Sequence, residues 1–140
     1  MWADIISESV QVVRAYAAMA LGSAERGDLA VHSALVQILQ LHLGDAPDPV
    51  SLFALVDRQV VAVSRRQIPF FPKQNPLGGL TPLQRRAVLL RTTHGFSEAE
   101  IGEILDLQLS EVKALLDASA CKLAGRGPDV RLLRPVRRQG

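Results

Sequence analysis

Residues 80–123 read LTPLQRRAVLLRTTHGFSEAEIGEILDLQLSEVKALLDASACKL. Thr81 and Pro82 are typical of the N-cap and first turn of a helix, and Gly95 is typical of its C-terminal exit. Ser97, followed three residues later by Glu100, forms a capping-box pattern, which predicts that a second helix begins there. After a break at 106–108, a third helix is predicted by the apolar spacing of Val112, Leu115, Leu116 and Leu123. Helices joined by so short a turn predict a helix-turn-helix, the scaffold that places a recognition helix in the major groove of DNA.

This stretch resembles the C-terminal, promoter-reading domain of bacterial sigma factors of the extracytoplasmic-function type. The resemblance is carried by Leu83, Arg85, Arg86, Leu89, Leu90, Gly95-Phe96-Ser97, Glu100-Ile101, Ile104-Leu105 and Val112-Lys113. Sigma factors of this type usually continue past that valine with several arginines. Here the corresponding positions are Leu115, Ala118 and Ala120.

The charges of the predicted recognition helix nearly cancel. Lys113 and Lys122 are offset by Glu111 and Asp117. Because each neutralised phosphate adds to DNA affinity through counterion release, this helix should have little attraction for DNA.

With this departure, the sequence is similar to the sigma-like domain of PhyR-type anti-anti-sigma factors, which act in the general stress response of alphaproteobacteria. The N-terminal half shares their pattern at Val13-Arg14-Ala15-Tyr16-Ala17, Leu21-Gly22-Ser23, Gly27-Asp28, Val31 and Pro49 to Val56. The resemblance covers roughly residues 5–124. It implies an all-α fold and binding of an anti-sigma protein, NepR, in place of promoter and polymerase.

Proteins of the PhyR type also carry a phosphoacceptor receiver domain, which needs on the order of 100 residues. Because 15 residues follow Gly125, we expect no receiver here. The chain is then either a shortened domain or a stand-alone relative, and phosphorylation control is not carried over to it.

The helix pattern predicts two small three-helix lobes joined by a linker. Helices are expected at about residues 4–21, from an N-cap at Asp28 to about Leu43, and from an N-cap at Asp48 to about Arg66. The apolar faces are expected at Ile5, Val12, Val13, Tyr16 and Met19, then at Val31, Leu35, Ile38, Leu39 and His42, and then at Leu52, Phe53, Val56, Val60 and Val63.

Prolines and paired glycines make 67–80 a linker, in which Phe70 and Phe71 are expected to form a staple between the lobes, with a direct partner contact as the alternative. The predicted division is therefore 1–66, a sigma region 2-like lobe; 67–80, the linker; 81–125, a region 4-like lobe; and 126–140, a basic tail.

The basic character of the chain resides in its C-terminal end. The net charge is +2 overall, but residues after Gly125 contain five arginines and one aspartate, so the preceding residues sum to −2. A basic tail is more typical of a solvated terminus than of a specific nucleic-acid site. With no apolar run of 18 residues and no signal-peptide pattern, we expect no membrane span and a cytoplasmic protein.

The sequence offers little for catalysis or metal binding. His32, His42 and His94 are not spaced as a metal site, so we expect no metal, no cofactor and no enzymatic activity. Ser97 is explained by helix capping. Cys121 is expected to be buried, and a single cysteine is compatible with a reducing compartment.

Our main functional hypothesis is therefore a sigma-factor mimic that binds a NepR-like anti-sigma protein. We predict that its partner surface comprises Leu35, Leu39, Phe53, Val56, Leu83, Leu109, Val112 and Leu115. The leucines at 109 and 115 are explained equally well by burial between the lobes and by an exposed groove for a partner helix.

The alternative hypothesis is a divergent sigma factor that binds promoter DNA and core RNA polymerase. It would use Arg85, Arg86, Lys113 and Lys122, with further contributions from Arg91 and the tail. A third possibility is a helical scaffold with no partner in a sigma pathway.

Overall fold

The computed structural model describes residues 2–41 and 48–125, and the regular elements in these ranges are all helical. The first lobe consists of α1 (Trp2–Leu21), α2 (Ala24–Leu41) and α3 (Pro49–Arg66). A segment containing a 3-10 turn at Pro76–Gly79 leads to the second lobe, which consists of α4 (Pro82–Val88), α5 (Glu98–Leu105) and α6 (Leu109–Ala124). The predicted all-α fold with two three-helix lobes is confirmed. Within the described ranges, no helix is long and apolar enough to cross a membrane.

Local capping chemistry sets the starts of three helices, as the sequence predicts. The side chain of Asp48 accepts a hydrogen bond from the backbone N–H of Ser51, and Pro49 opens α3. Thr81 caps α4 and Ser97 caps α5, each in a reciprocal capping box. Gly95 has φ of 71°, a left-handed conformation that glycine adopts without strain, so its predicted role at the helix exit is confirmed.

The predicted start of α2 at Asp28 is wrong. The helix begins at Ala24, where the hydroxyl of Ser23 accepts a hydrogen bond from the backbone N–H of Arg26. Gly27 lies inside the helix at the point where α1 approaches closely. A Cβ on Gly27 would lie 2.6 Å from the backbone nitrogen of Ala18. Asp28 instead forms an ion pair with Arg14 of α1, whose Nε donates a hydrogen bond to Oδ1 at 2.9 Å.

The helix predicted to end at Gly95 does not remain α-helical throughout. From Leu89 to Thr93 the chain forms one π-helical turn, after which the N–H of His94 bonds to the carbonyl of Leu89. In a π-helical turn the backbone N–H bonds to the carbonyl five residues earlier, and such turns occur frequently at functional sites. This one directs His94 toward the first lobe, where its ring meets Tyr16 and Phe53.

One hydrophobic core extends through both lobes. It contains Val13, Tyr16, Ile38 and Val60 from the first lobe and Leu89, Leu90, Ile101 and Val112 from the second. Helix α3 packs against α5, and α1 packs against α4 and the π-helical turn. The expected inward positions Val12, Met19 and Leu39 are corrected, because their side chains are exposed.

The segment between the lobes contains one of the two predicted aromatic staples. The ring of Phe71 packs against Gly22 and Gly78 and lies 4.0 Å from the guanidinium carbon of Arg85. Phe70 is exposed, so the staple prediction is wrong for that residue. Cys121 is also exposed on α6, contrary to the burial expected from its apolar neighbours.

Several predicted features lie outside the described residues or side chains. They are the side chain of Ile5, the end of the second helix at His42 and Leu43, the loop at 44–47 and the basic tail at 126–140.

Candidate partner-binding surface

The predicted partner residues do not form one exposed surface. Leu39 on α2 and Leu109 at the start of α6 are exposed, at 68% and 48% of their full accessibility. Leu35, Leu83 and Leu115 are half-buried against the core. Phe53, Val56 and Val112 are buried. The last three cannot touch a partner in this arrangement, because they are buried, Phe53 beneath His94 and Phe96 of the second lobe.

Phe53 is the centre of an aromatic cluster where the two lobes meet. Its ring centroid lies 4.9 Å from that of Phe96, 5.0 Å from that of His94 and 5.4 Å from that of Tyr16. The pairs are tilted or edge-on, the arrangements that aromatic quadrupoles prefer. This cluster joins α1 and α3 of the first lobe to the chain between α4 and α5.

His94 is the polar member of that cluster. Its Nε2 atom is buried and has no hydrogen-bond partner among the described residues. Burial lowers the pKa of His94, since the charged form would lose its hydration. The neutral ring therefore serves as an aromatic contact between the lobes.

Beside the aromatic cluster, a buried polar network also joins the lobes. The hydroxyl of Tyr16 donates to Oδ1 of Asp57 at 2.5 Å, and Arg86 donates through Nε to the same oxygen at 2.9 Å. A second contact joins the terminal nitrogen of Arg86 to Oδ2 at 3.4 Å. Tyr16, Asp57 and Arg86 come from α1, α3 and α4, so one carboxylate connects both lobes.

Burial sets the acid–base behaviour of this network. Loss of hydration raises the pKa of Asp57, while the nearby charge of Arg86 and the Tyr16 hydrogen bond act in the opposite direction. The pKa of Tyr16 is raised well above its ordinary value, first by burial and then by the carboxylate of Asp57. The phenol therefore keeps its proton and donates a hydrogen bond to the carboxylate.

Arg85 is committed to the fold, which corrects its assignment as a DNA contact. The residue is 6% exposed. Its guanidinium donates to the backbone carbonyls of Leu77, Leu80 and Ala20 at 3.1, 3.1 and 3.4 Å. It also stacks on Phe71, so Arg85 fixes both the linker and the end of α1.

Arg86 is corrected for a similar reason, because its charge is paired with the buried carboxylate of Asp57. Of the four residues predicted for DNA contact, Lys113 and Lys122 are exposed on α6. Between residues 97 and 125 the chain contains six acidic residues and two lysines, a net charge of −4. This region of the helix-turn-helix should repel phosphates rather than attract them.

A cleft of about 360 Å³ opens between the lobes next to the polar network. Its walls are formed by α3, α4, α5 and the turn that follows α5, through Asp57, Arg58, Val61, Arg86, Glu103, Ile104, Leu105 and Asp106. The Asp57–Arg86 pair borders this cleft. Sequence reasoning missed this region, since the residues that form it are up to 49 positions apart.

Within 2–41 and 48–125, no three histidine, cysteine or acidic side chains are grouped so as to hold a metal ion. His32 is exposed on α2, whereas His94 belongs to the aromatic cluster.

Residues 77–123 match the family model of the sigma-like domain of the response regulator PhyR. The resemblance to PhyR is confirmed. The phyllosphere-induced regulator PhyR of Methylorubrum extorquens is 45% identical over 53 residues, which are 38% of this chain and 20% of that protein.

The fold is similar to that of a solved PhyR structure. The anti-anti-sigma factor PhyR from Bartonella quintana, crystallised in complex with the anti-sigma factor NepR, superposes with a TM-score of 0.67 and 24% identity. The alignment covers 89% of this chain and 50% of that one. The chain therefore spans a fifth of the curated relative and half of the solved one.

Proposed function

We propose that this protein is a sigma-factor mimic that binds a NepR-like anti-sigma protein and thereby releases a genuine sigma factor to RNA polymerase. The observation that carries the proposal is the internal use of Arg85 and Arg86 in a helix-turn-helix of sigma type. Arg85 donates to three backbone carbonyls and Arg86 pairs with Asp57, so neither is available to phosphate. The scaffold is retained while its means of attracting DNA are weak.

Two further observations support a protein partner. Leu39 and Leu109 are large apolar side chains exposed on α2 and α6, the kind of anchor that an amphipathic partner helix contacts. The PhyR relatives provide the chemical class of the partner, since the Bartonella protein was crystallised with NepR. We further propose that the protein acts in the general stress response. We also keep the predicted division into a first lobe at 1–66, a linker at 67–80, a second lobe at 81–125 and a basic tail at 126–140.

A calorimetric titration with a purified NepR-type anti-sigma protein tests the proposal. We expect saturable binding at micromolar concentrations, and we expect this chain to displace a sigma factor from its complex with the same protein. Absence of binding at those concentrations would overturn the proposal.

Two single substitutions test the predicted anchors. Leu39→Glu and Leu109→Glu should each weaken binding about tenfold or more, because each places a charge at an apolar contact. Leu29→Glu is the matched control, since Leu29 is also an exposed leucine, at 58%, but lies outside the predicted surface. Equal weakening by all three variants would contradict the assignment of Leu39 and Leu109.

A further inference from the structure

The network of Tyr16, Asp57 and Arg86 lies where the lobes would have to part. Tyr16 and Asp57 belong to the first lobe, and the guanidinium of Arg86 approaches them from the second. The side chain of Asp57 is 5% exposed and that of Arg86 13%, so water competes weakly for the ion pair. Moving α4 away from α3 would separate the carboxylate of Asp57 from its cation.

The same movement would uncover predicted partner contacts. Phe53 and Val56 lie on α3 within one turn of Asp57, and both are buried. Phe53 is covered by His94 and Phe96 from the second lobe. A partner helix that reaches Phe53 must therefore displace the chain between α4 and α5, and this displacement strains or breaks the contact between Asp57 and Arg86.

We infer that Tyr16, Asp57 and Arg86 form an interlobe latch that limits access of the anti-sigma partner to the core face of α3. The inference rests on the proposed function for the identity of the partner. Its structural part, that the latch sets the population of the closed arrangement, can be measured without any partner. Because apparent affinity is reduced by the fraction of molecules that are binding-competent, loosening the latch should tighten binding.

The closed population is measured first, by distance distributions between two spin labels. Native Cys121 is exposed on α6, and Ser33→Cys adds an exposed label site on α2, so the two labels report on different lobes. The Ser33→Cys protein, which is the background for the other variants, should give one narrow distance distribution. Asp57→Asn keeps the shape of the side chain and removes the negative charge of the interlobe pair, and Arg86→Gln removes the cation. Both variants should add a population at longer distance.

The matched control for this experiment is Arg14→Gln. It breaks an arginine–aspartate pair of similar length, Arg14 with Asp28, that lies within the first lobe. Its distance distribution should remain that of the background protein. Circular dichroism of each variant distinguishes opening from loss of helix, and Asp57→Asn keeps the test informative if Arg86→Gln fails to fold. Unchanged distances in folded Asp57→Asn would overturn the latch.

Binding to a NepR-type anti-sigma protein is measured second, by calorimetry on the same variants without labels. One hydrogen bond to a charged group corresponds to about a tenfold change in an equilibrium, so Asp57→Asn, which removes the charge that Arg86 contacts, should lower Kd by about that factor. Arg14→Gln should leave Kd unchanged. Weaker or unchanged binding by Asp57→Asn would overturn the inferred role of the latch in access. If the unmodified chain and all variants fail to bind, the proposed function fails, and the distance measurement still decides whether the latch exists.

Discussion

The pair formed by Arg86 and Asp57 gives the sharpest prediction for a single side chain. Replacing Arg86 by Met retains much of the aliphatic volume but leaves the carboxylate of Asp57 buried without its cation. We expect the free energy of unfolding at neutral pH to fall by about 3 kcal/mol, the cost of removing one partner of a buried pair. Urea denaturation followed by circular dichroism measures it.

The pH dependence of this variant has a defined sign. Burial already raises the pKa of Asp57, and loss of Arg86 removes the charge that opposes this rise. A carboxyl whose folded pKa exceeds its unfolded pKa of 3.8 destabilises the fold most above the folded pKa. The deficit of Arg86→Met should therefore shrink as pH falls through that folded pKa toward 3.8. The triple variant Tyr16→Phe, Asp57→Leu and Arg86→Met leaves no buried hydroxyl unpaired. It should recover stability at neutral pH, and a deficit that persists there would contradict the ion-pair explanation.

The same residues show where sequence reasoning about individual side chains failed. Arg85 and Arg86 follow a helix start and appear in the sequence as phosphate contacts. In the structure Arg85 donates to nearby Leu77 and Leu80, and the long-range partners of the two arginines are Ala20 and Asp57. These partners lie 65 and 29 positions away. No local pattern in one sequence pairs such residues, because the pairing depends on how two lobes dock.

Helix starts were predictable where capping is local. Asp48, Thr81 and Ser97 each accept a hydrogen bond from an N–H three residues later, so the pattern and the structure coincide. Asp28 is also a residue type that caps helices, but it lies inside α2. That helix begins at Ala24 and packs on Ala18 of α1 through Gly27. The π-helical turn at Leu89–Thr93 was also unpredicted, since nothing in the apolar spacing marks an extra residue in a turn.

The close crossing of α1 and α2 gives a prediction for the packing of these two helices. A Cβ at Gly27 would lie 2.6 Å from the backbone nitrogen and 2.8 Å from the Cα of Ala18. Gly27→Ala should lower the free energy of unfolding by about 2 kcal/mol, despite the higher helix propensity of alanine, because the helices must separate. Urea denaturation measures the change.

Ser33→Ala is the control for Gly27→Ala. Ser33 is exposed on the same helix, so adding alanine there should be neutral or slightly stabilising. A Gly27→Ala protein as stable as the Ser33→Ala protein would show that the crossing can relax without cost.

The charge distribution over the chain favours a protein partner over promoter DNA. The sequence placed the basicity in 126–140, and the structure adds that Arg85 and Arg86 in the second lobe are internally bound. The relative placement of the lobes was beyond sequence reasoning, but the charge argument was within it. DNA affinity, if measured, should therefore depend on the tail and not on the helix-turn-helix.

We predict that the full chain binds DNA weakly, without sequence preference, and with an affinity that falls steeply with salt. Replacing the five tail arginines by glutamine removes up to five phosphate contacts, each worth a slope of about 0.9 in log affinity against log salt on B-DNA. This variant should lose measurable binding in fluorescence anisotropy. The matched variant Lys113→Gln with Lys122→Gln should bind as the original chain does, since these lysines lie among acidic residues. Sequence-dependent binding that is lost with Lys113 and Lys122 and kept without the tail arginines would instead support a promoter-reading sigma factor.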